Sequence, residues 1–177
     1  MLFACLLLAF PAILHAQDTV ARLPREAAAD FAARLLPANS ELAHTVIEGA
    51  FGPGAGNIVV LYRARDSVNT NYSGWVLAPA GPSKYRKYEL PAMTEIPGQF
   101  EITVTAVMFA NADKDPAREL LVLYAYHRNG SQSDDSNAVY AYHWTGHGFE
   151  ALTGIDRSLA GLKNAASVRR KLKTLGY

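Results

Sequence analysis

The chain has 177 residues, half of them hydrophobic and 19% charged, with 17 basic against 16 acidic side chains and a formal net charge of +1. That length suits one domain, and the apolar share supports a substantial core and excludes wholesale disorder. The even charge balance excludes a nucleic-acid binder working through a global positive field, while nine Tyr, seven Phe and two Trp favour strands.

The first element is apolar. Leu2 to Leu14 form a nearly unbroken hydrophobic run, followed by Ala16 and Gln17, with no Lys or Arg directly after Met1. The run is too short for a membrane span and has the length of a secretory h-region with a small residue for cleavage. Residues 1–16 are therefore expected to be a signal peptide and 17–177 a single α+β domain. A secreted or periplasmic location and no stable membrane span after cleavage follow from that reading. Cys5 is the sole cysteine and lies inside the run, so the cleaved chain has no thiol for disulfides or Cys-based metal sites.

Pro24 to Leu36 is expected to be an amphipathic helix with Ala28, Phe31, Ala32 and Leu35 on one face and Pro37 as its stop. A Gly-rich bend follows at Gly52, Gly54 and Gly56. Ile58 to Arg65 and Tyr72 to Ala78 are expected to form a hairpin around 66–71, and Tyr85 to Pro97 is less regular, interrupted by Pro91 and Pro97. Glu101 to Ala110 alternates, which predicts a strand with Ile102, Val104, Ala106 and Met108 on one side. Leu120 to Tyr126 is apolar on both faces and predicts a central strand. A polar tip at 128–137 leads to a strand over Ala138 to Trp144, a turn at Gly146-His147-Gly148 and a short strand over Phe149 to Leu152. Asp156 and Asn164 are candidate caps of two short helices, the second carrying a Val168, Leu172 and Leu175 stripe beside Arg169, Arg170, Lys171 and Lys173. The expected class is α+β, mainly antiparallel sheet with flanking terminal helices.

The chemistry concentrates between the two central strands, in Asn111-Ala112-Asp113-Lys114-Asp115-Pro116-Ala117-Arg118-Glu119. Side-chain oxygens stand at loop positions one, three, five and nine. Alternate residues of a tight loop can turn hard oxygens inward, as calcium requires, and the Ala117 carbonyl could add another ligand. Asn111, Asp113, Asp115, Ala117 and Glu119 are thus the candidate calcium ligands. A solvated turn rich in Asp and Asn is the simpler alternative. The loop is not an EF-hand, because Val122 stands where that motif needs a bidentate Glu.

The spacing, followed by Leu120-Leu121-Val122-Leu123, resembles the calcium hairpin of FG-GAP or VCBS repeats, which build integrin-type propellers. The resemblance covers about 104–126. Asn111 stands where the pattern has its first Asp and Pro116 where it has Gly. One repeat cannot make a propeller. The resemblance therefore implies a single FG-GAP-like hairpin within a compact exported domain.

Other groupings are weaker. His127, His143 and His147 suggest a transition-metal site only if hairpin pairing brings the first two together, and no acidic or Cys ligand adjoins them. Tyr124, Tyr126, Tyr140, Tyr142 and Trp144 recur at spacing two and are expected to form a core face rather than a ligand platform. Gly-x-Ser-x-Gly, His-Glu-x-x-His and phosphate-loop motifs are all missing from the sequence. The expected function is a non-catalytic binding or structural domain stabilised by calcium, its partner an envelope or extracellular protein or glycan. A small metal-assisted hydrolase or carbohydrate-active enzyme using the His cluster, and a secreted inhibitor docking through the 128–137 tip, are the alternatives.

Overall fold

The structure is a computed structural model, and it describes residues 19–65, 70–91, 100–128 and 136–177. The expected signal segment 1–16, the hairpin tip at 66–69, the stretch 92–99 and most of the polar tip, 129–135, lie outside the described residues. In chain order the elements are β1 (Thr19–Ala21), α1 (Ala28–Leu35), β2 (Ser40–Leu42), β3 (Ile47–Phe51), β4 (Gly54–Arg65), β5 (Thr70–Gly81) and β6 (Lys84–Glu89). Then come β7 (Phe100–Ala110), β8 (Glu119–Arg128), β9 (Ser136–Trp144), β10 (Phe149–Ala151), α2 (Ile155–Leu159) and α3 (Ala165–Leu175). The chain is mainly antiparallel sheet, with helices near both termini. No helix among the described residues is long and apolar enough to cross a membrane.

Two sheets form. One runs β1-β6-β5-β4-β2, with β3 also paired to β4; the other runs β10-β9-β8-β7. Val59, Leu61, Tyr72 and Val76 of the first pack against Ile102, Val104, Leu120, Val122, Tyr124 and Tyr142 of the second. This is the face-to-face packing of a sandwich, and period-two alternation leaves each sheet a second apolar face. Helix α1 covers one: Phe31 and Ala32 pack with Ile58, Val60, Trp75 and Leu77. Helices α2 and α3 cover the other: Ile155, Leu159, Val168 and Leu172 pack with Met108, Leu121, Leu123, Val139 and Ala141. Each fully buried Leu or Val in these layers contributes about 1.5–3 kcal/mol of transfer free energy.

The helices differ from expectation at their edges. α1 keeps the expected face but begins at Ala28, because Arg25 takes a left-handed φ of 64°. Leu36 is extended ahead of Pro37, as the residue before a proline tends to be. Asp156 is not the cap of α2. Gly154 holds that place at φ 95°, and the Asp156 carboxylate accepts the Gly154 N–H. Asn164 does cap α3, in a reciprocal box with Ser167. The apolar stripe of α3 ends early, since Val168 and Leu172 are buried and Leu175 is 40% exposed.

Strand β7 also departs from strict alternation. Its register to β8 shifts between Val104 and Ala106, so Thr105 is an extra residue, its hydroxyl donating to the Leu123 carbonyl. Ile102 and Val104 enter the sandwich interior as expected. Past the bulge, Val107 and Phe109 take over that face, while Ala106 and Met108 turn to the helices. Phe109 stacks on Phe51 of β3 at 4.3 Å between ring centres. The tyrosine ladder is core, as expected: Tyr124 and Tyr142 are buried in the sandwich, with Tyr126, Tyr140 and Trp144 packed against them.

Candidate metal centre

Strands β7 and β8 pair to their ends, with Ala110 opposite Glu119, and the loop between them is the acidic segment. Its frame comes from its own side chains. The Asp113 N–H donates to Asn111 Oδ1 at 3.3 Å, Asp115 N–H to Asp113 Oδ1 at 2.8 Å and Ala117 N–H to Asp115 Oδ1 at 2.6 Å. The Asn111 amide nitrogen closes the ring on the Asp115 carbonyl at 2.7 Å. These are successive Asx turns. No residue of the loop has positive φ, so Pro116 fits where the resembling repeats use Gly.

Glu119 is the unusual member. It is 1% exposed, and its Oε2 accepts the Ala112 N–H at 2.5 Å. Ala112 is itself buried in the helix-side core. Burial, then the nearby charges of Asp113 and Asp115, push the Glu119 carboxyl above its usual range, against a partial offset from the Ala112 N–H.

Candidate ligand oxygens of Asp113, Asp115 and Glu119 all lie within 4.8 Å of one another. Oxygens bound to one calcium at about 2.3–2.6 Å are separated by at most about 5.2 Å, so the trio fits inside one coordination sphere. An all-carboxylate set is hard and favours calcium or magnesium over softer transition metals. Asp113 and Asp115 each spend one oxygen on the turn and keep the other, while Asn111 and Ala117 act in the loop frame through the bonds above. Of the five sequence-derived candidates, the structure thus converges the three carboxylates. The loop is open to solvent beside a hollow of about 420 Å³ lined by Ala50, Phe51, Gly52, Gly54, Ala117 and Arg118.

The histidines are dispersed. His127 lies opposite Glu101 near the far end of β8, whereas His143 pairs with Glu150 of β10 at the other end of the sheet. His143 Nε2 stands 3.8 Å from a Glu150 carboxylate oxygen. The acidic trio is the one group of metal-ligating side chains that converges among the described residues. Comparison with family models, curated proteins and solved structures finds no match.

Proposed function

We propose that this chain is an exported, non-catalytic binding or structural domain whose FG-GAP-like hairpin loop takes up calcium through Asp113, Asp115 and Glu119. The observation that carries this reading is the convergence of three carboxylates, one fully buried, within a single ion's reach. Gathering like charges raises the cost of ionising Glu119, and a divalent cation among them reverses that cost. The ion would tie the end of the β7–β8 hairpin to the buried Ala112, which packs in the core beneath α2 and α3. Export rests on the apolar run at 2–14 and its small-residue boundary. The test is calorimetric titration of the chelator-treated protein with calcium and with magnesium. Heat at a stoichiometry near one and a dissociation constant of about 10⁻⁴–10⁻³ M supports the site. No heat up to about 10 mM calcium, well above that range, sinks it.

A further inference from the structure

Charge is segregated along the chain although it nearly cancels overall. Residues 155–177 carry six cations, Arg157, Lys163, Arg169, Arg170, Lys171 and Lys173, against one acid, Asp156. Helices α2 and α3 pack on one face of the β7–β10 sheet through Ile155, Leu159, Val168 and Leu172, so these cations belong to the layer outside that face. Lys171 is half-buried and the other five are exposed. Around the other sheet, by contrast, Arg22, Arg34, Arg63 and Lys87 each meet a Glu carboxylate at 2.6–3.0 Å. None of the six has such a partner among the described residues.

The fold gains little from this crowding. The helix dipole favours Lys173 in the last turn of α3 but not Arg169 and Arg170 nearer its middle. Arg169 and Lys173 stand four apart, a spacing at which like charges weaken a helix. The acidic loop adjoins the layer through Ala112, yet Lys114 and Arg118 offset part of its charge and the whole remains positive. Apolar surface accompanies the cations. Of three large hydrophobic side chains exposed among the described residues, two stand at the end of α3, Leu175 at 40% and Tyr177 at 37%. Gly176 reverses the chain at φ 88°, and the Tyr177 N–H donates to the Leu172 carbonyl at 3.1 Å, which holds Tyr177 at the last helical turn.

We propose that the outer side of α2 and α3 docks on an anionic lipid surface. The cations meet the headgroup phosphates, and Leu175 and Tyr177 enter the interface between them. A charged surface attracts each Lys or Arg near it without demanding a fixed partner, which suits side chains that the fold leaves unpaired. A soluble polyanion satisfies the cations but gives no cover to Leu175 and Tyr177, whereas a Tyr suits the headgroup boundary with its apolar body and polar tip. Attachment is peripheral, because Val168 and Leu172 of α3 are already spent on the sheet. The inference adds a partner to the binding role above and does not depend on the calcium loop.

The test is flotation of the full chain with phosphatidylcholine vesicles, with and without about 30% phosphatidylglycerol, at the lipid concentration that half-binds the wild type. The neutral vesicles register what the apolar run at 2–14 contributes. Chelator throughout prevents calcium bridging and separates failure here from failure of the calcium reading. Stronger binding to the anionic vesicles, lost towards about 1 M salt where the screening length falls to about 3 Å, supports the surface. Arg169→Gln with Arg170→Gln should weaken anionic binding roughly 25-fold, at about fivefold per cation, and leave neutral binding unchanged. That variant should melt no lower than the wild type, since it relieves repulsion within α3. Leu175→Ser with Tyr177→Ser should weaken anionic binding about tenfold while leaving capture by inorganic polyphosphate unchanged. Equal binding to both vesicles, or wild-type binding by the Arg169/Arg170 variant, overturns the proposal. Loss of polyphosphate capture in the Arg169/Arg170 variant, with vesicle binding intact in the Leu175/Tyr177 variant, overturns it in favour of a soluble polyanion.

Discussion

Replacing Glu119 with Gln separates the electrostatic role of the acidic loop from its structural one. Gln retains an oxygen for the Ala112 N–H but removes the charge that Asp113 and Asp115 oppose. For an ion with a dissociation constant of about 10⁻⁴–10⁻³ M, 10 mM calcium stabilises the fold by roughly 1.4–2.7 kcal/mol through mass action. A protein of this length then melts about 3–11 °C higher. Without calcium the pH trend has the opposite sign from a usual salt-bridged carboxylate. Because folding raises the Glu119 pKa above 4.5, its contribution is most favourable below that value and declines as pH rises through the folded pKa. Calorimetric melting in chelator and in calcium, from pH 4 to 8, should show that decline in the wild type and its reversal by calcium. Glu119→Gln should show neither, and near pH 8 in chelator it should melt no lower than the wild type. A calcium shift equal in both proteins, or absent from both, refutes the reasoning.

Other substitutions test the frame. A Cβ at position 49 would lie 2.3 Å from Phe109 Cε2, so Gly49→Ala must displace the ring stacked on Phe51 and should cost about 1–3 kcal/mol by urea unfolding. Asn164→Ala removes the side-chain acceptor of the Ser167 N–H, leaves the Asn164 backbone N–H on Ser167 Oγ, and should cost about 1 kcal/mol by the same measurement, with little effect on calcium binding. The Arg34 guanidinium hydrogen-bonded to Glu26 lowers that carboxyl to about 2, so its contribution is present above 4.5 and lost as pH falls towards 2. Glu26→Gln should therefore melt below wild type at pH 7 and converge with it near pH 2.

The long hairpins were legible because alternation and turn residues agree along them. Ile58 to Arg65 with Tyr72 to Ala78 pair as expected, and the two expected strands Leu120 to Tyr126 and Ala138 to Trp144 prove to be neighbours. The short strands β1, β2 and β3 were not foreseen. Ser40-Glu41-Leu42 has little strand character of its own and is extended because β4 offers it an edge, with Glu41 also held by Arg63 at 2.6 Å. The bulge was hidden, since Thr105 satisfies the alternating pattern with or without an extra residue. At the loop, the spacing of the acids was readable but the burial of Glu119 was not. A Glu opening a strand reads as wet, and only the fold of Ala112 over the hairpin end takes it under.

The shift at Thr105 sets one residue of β7 apart from the pairing on either side of it. Thr105 is exposed, so a polar replacement there should be absorbed by solvent. Deleting it should be absorbed as well, because Ala106 would follow Val104 in regular register, leaving Phe109 against Phe51 and Met108 against the helices. Sequences descended from a common ancestor should therefore vary freely in side chain at this position, and losing it should leave the faces on either side undisturbed.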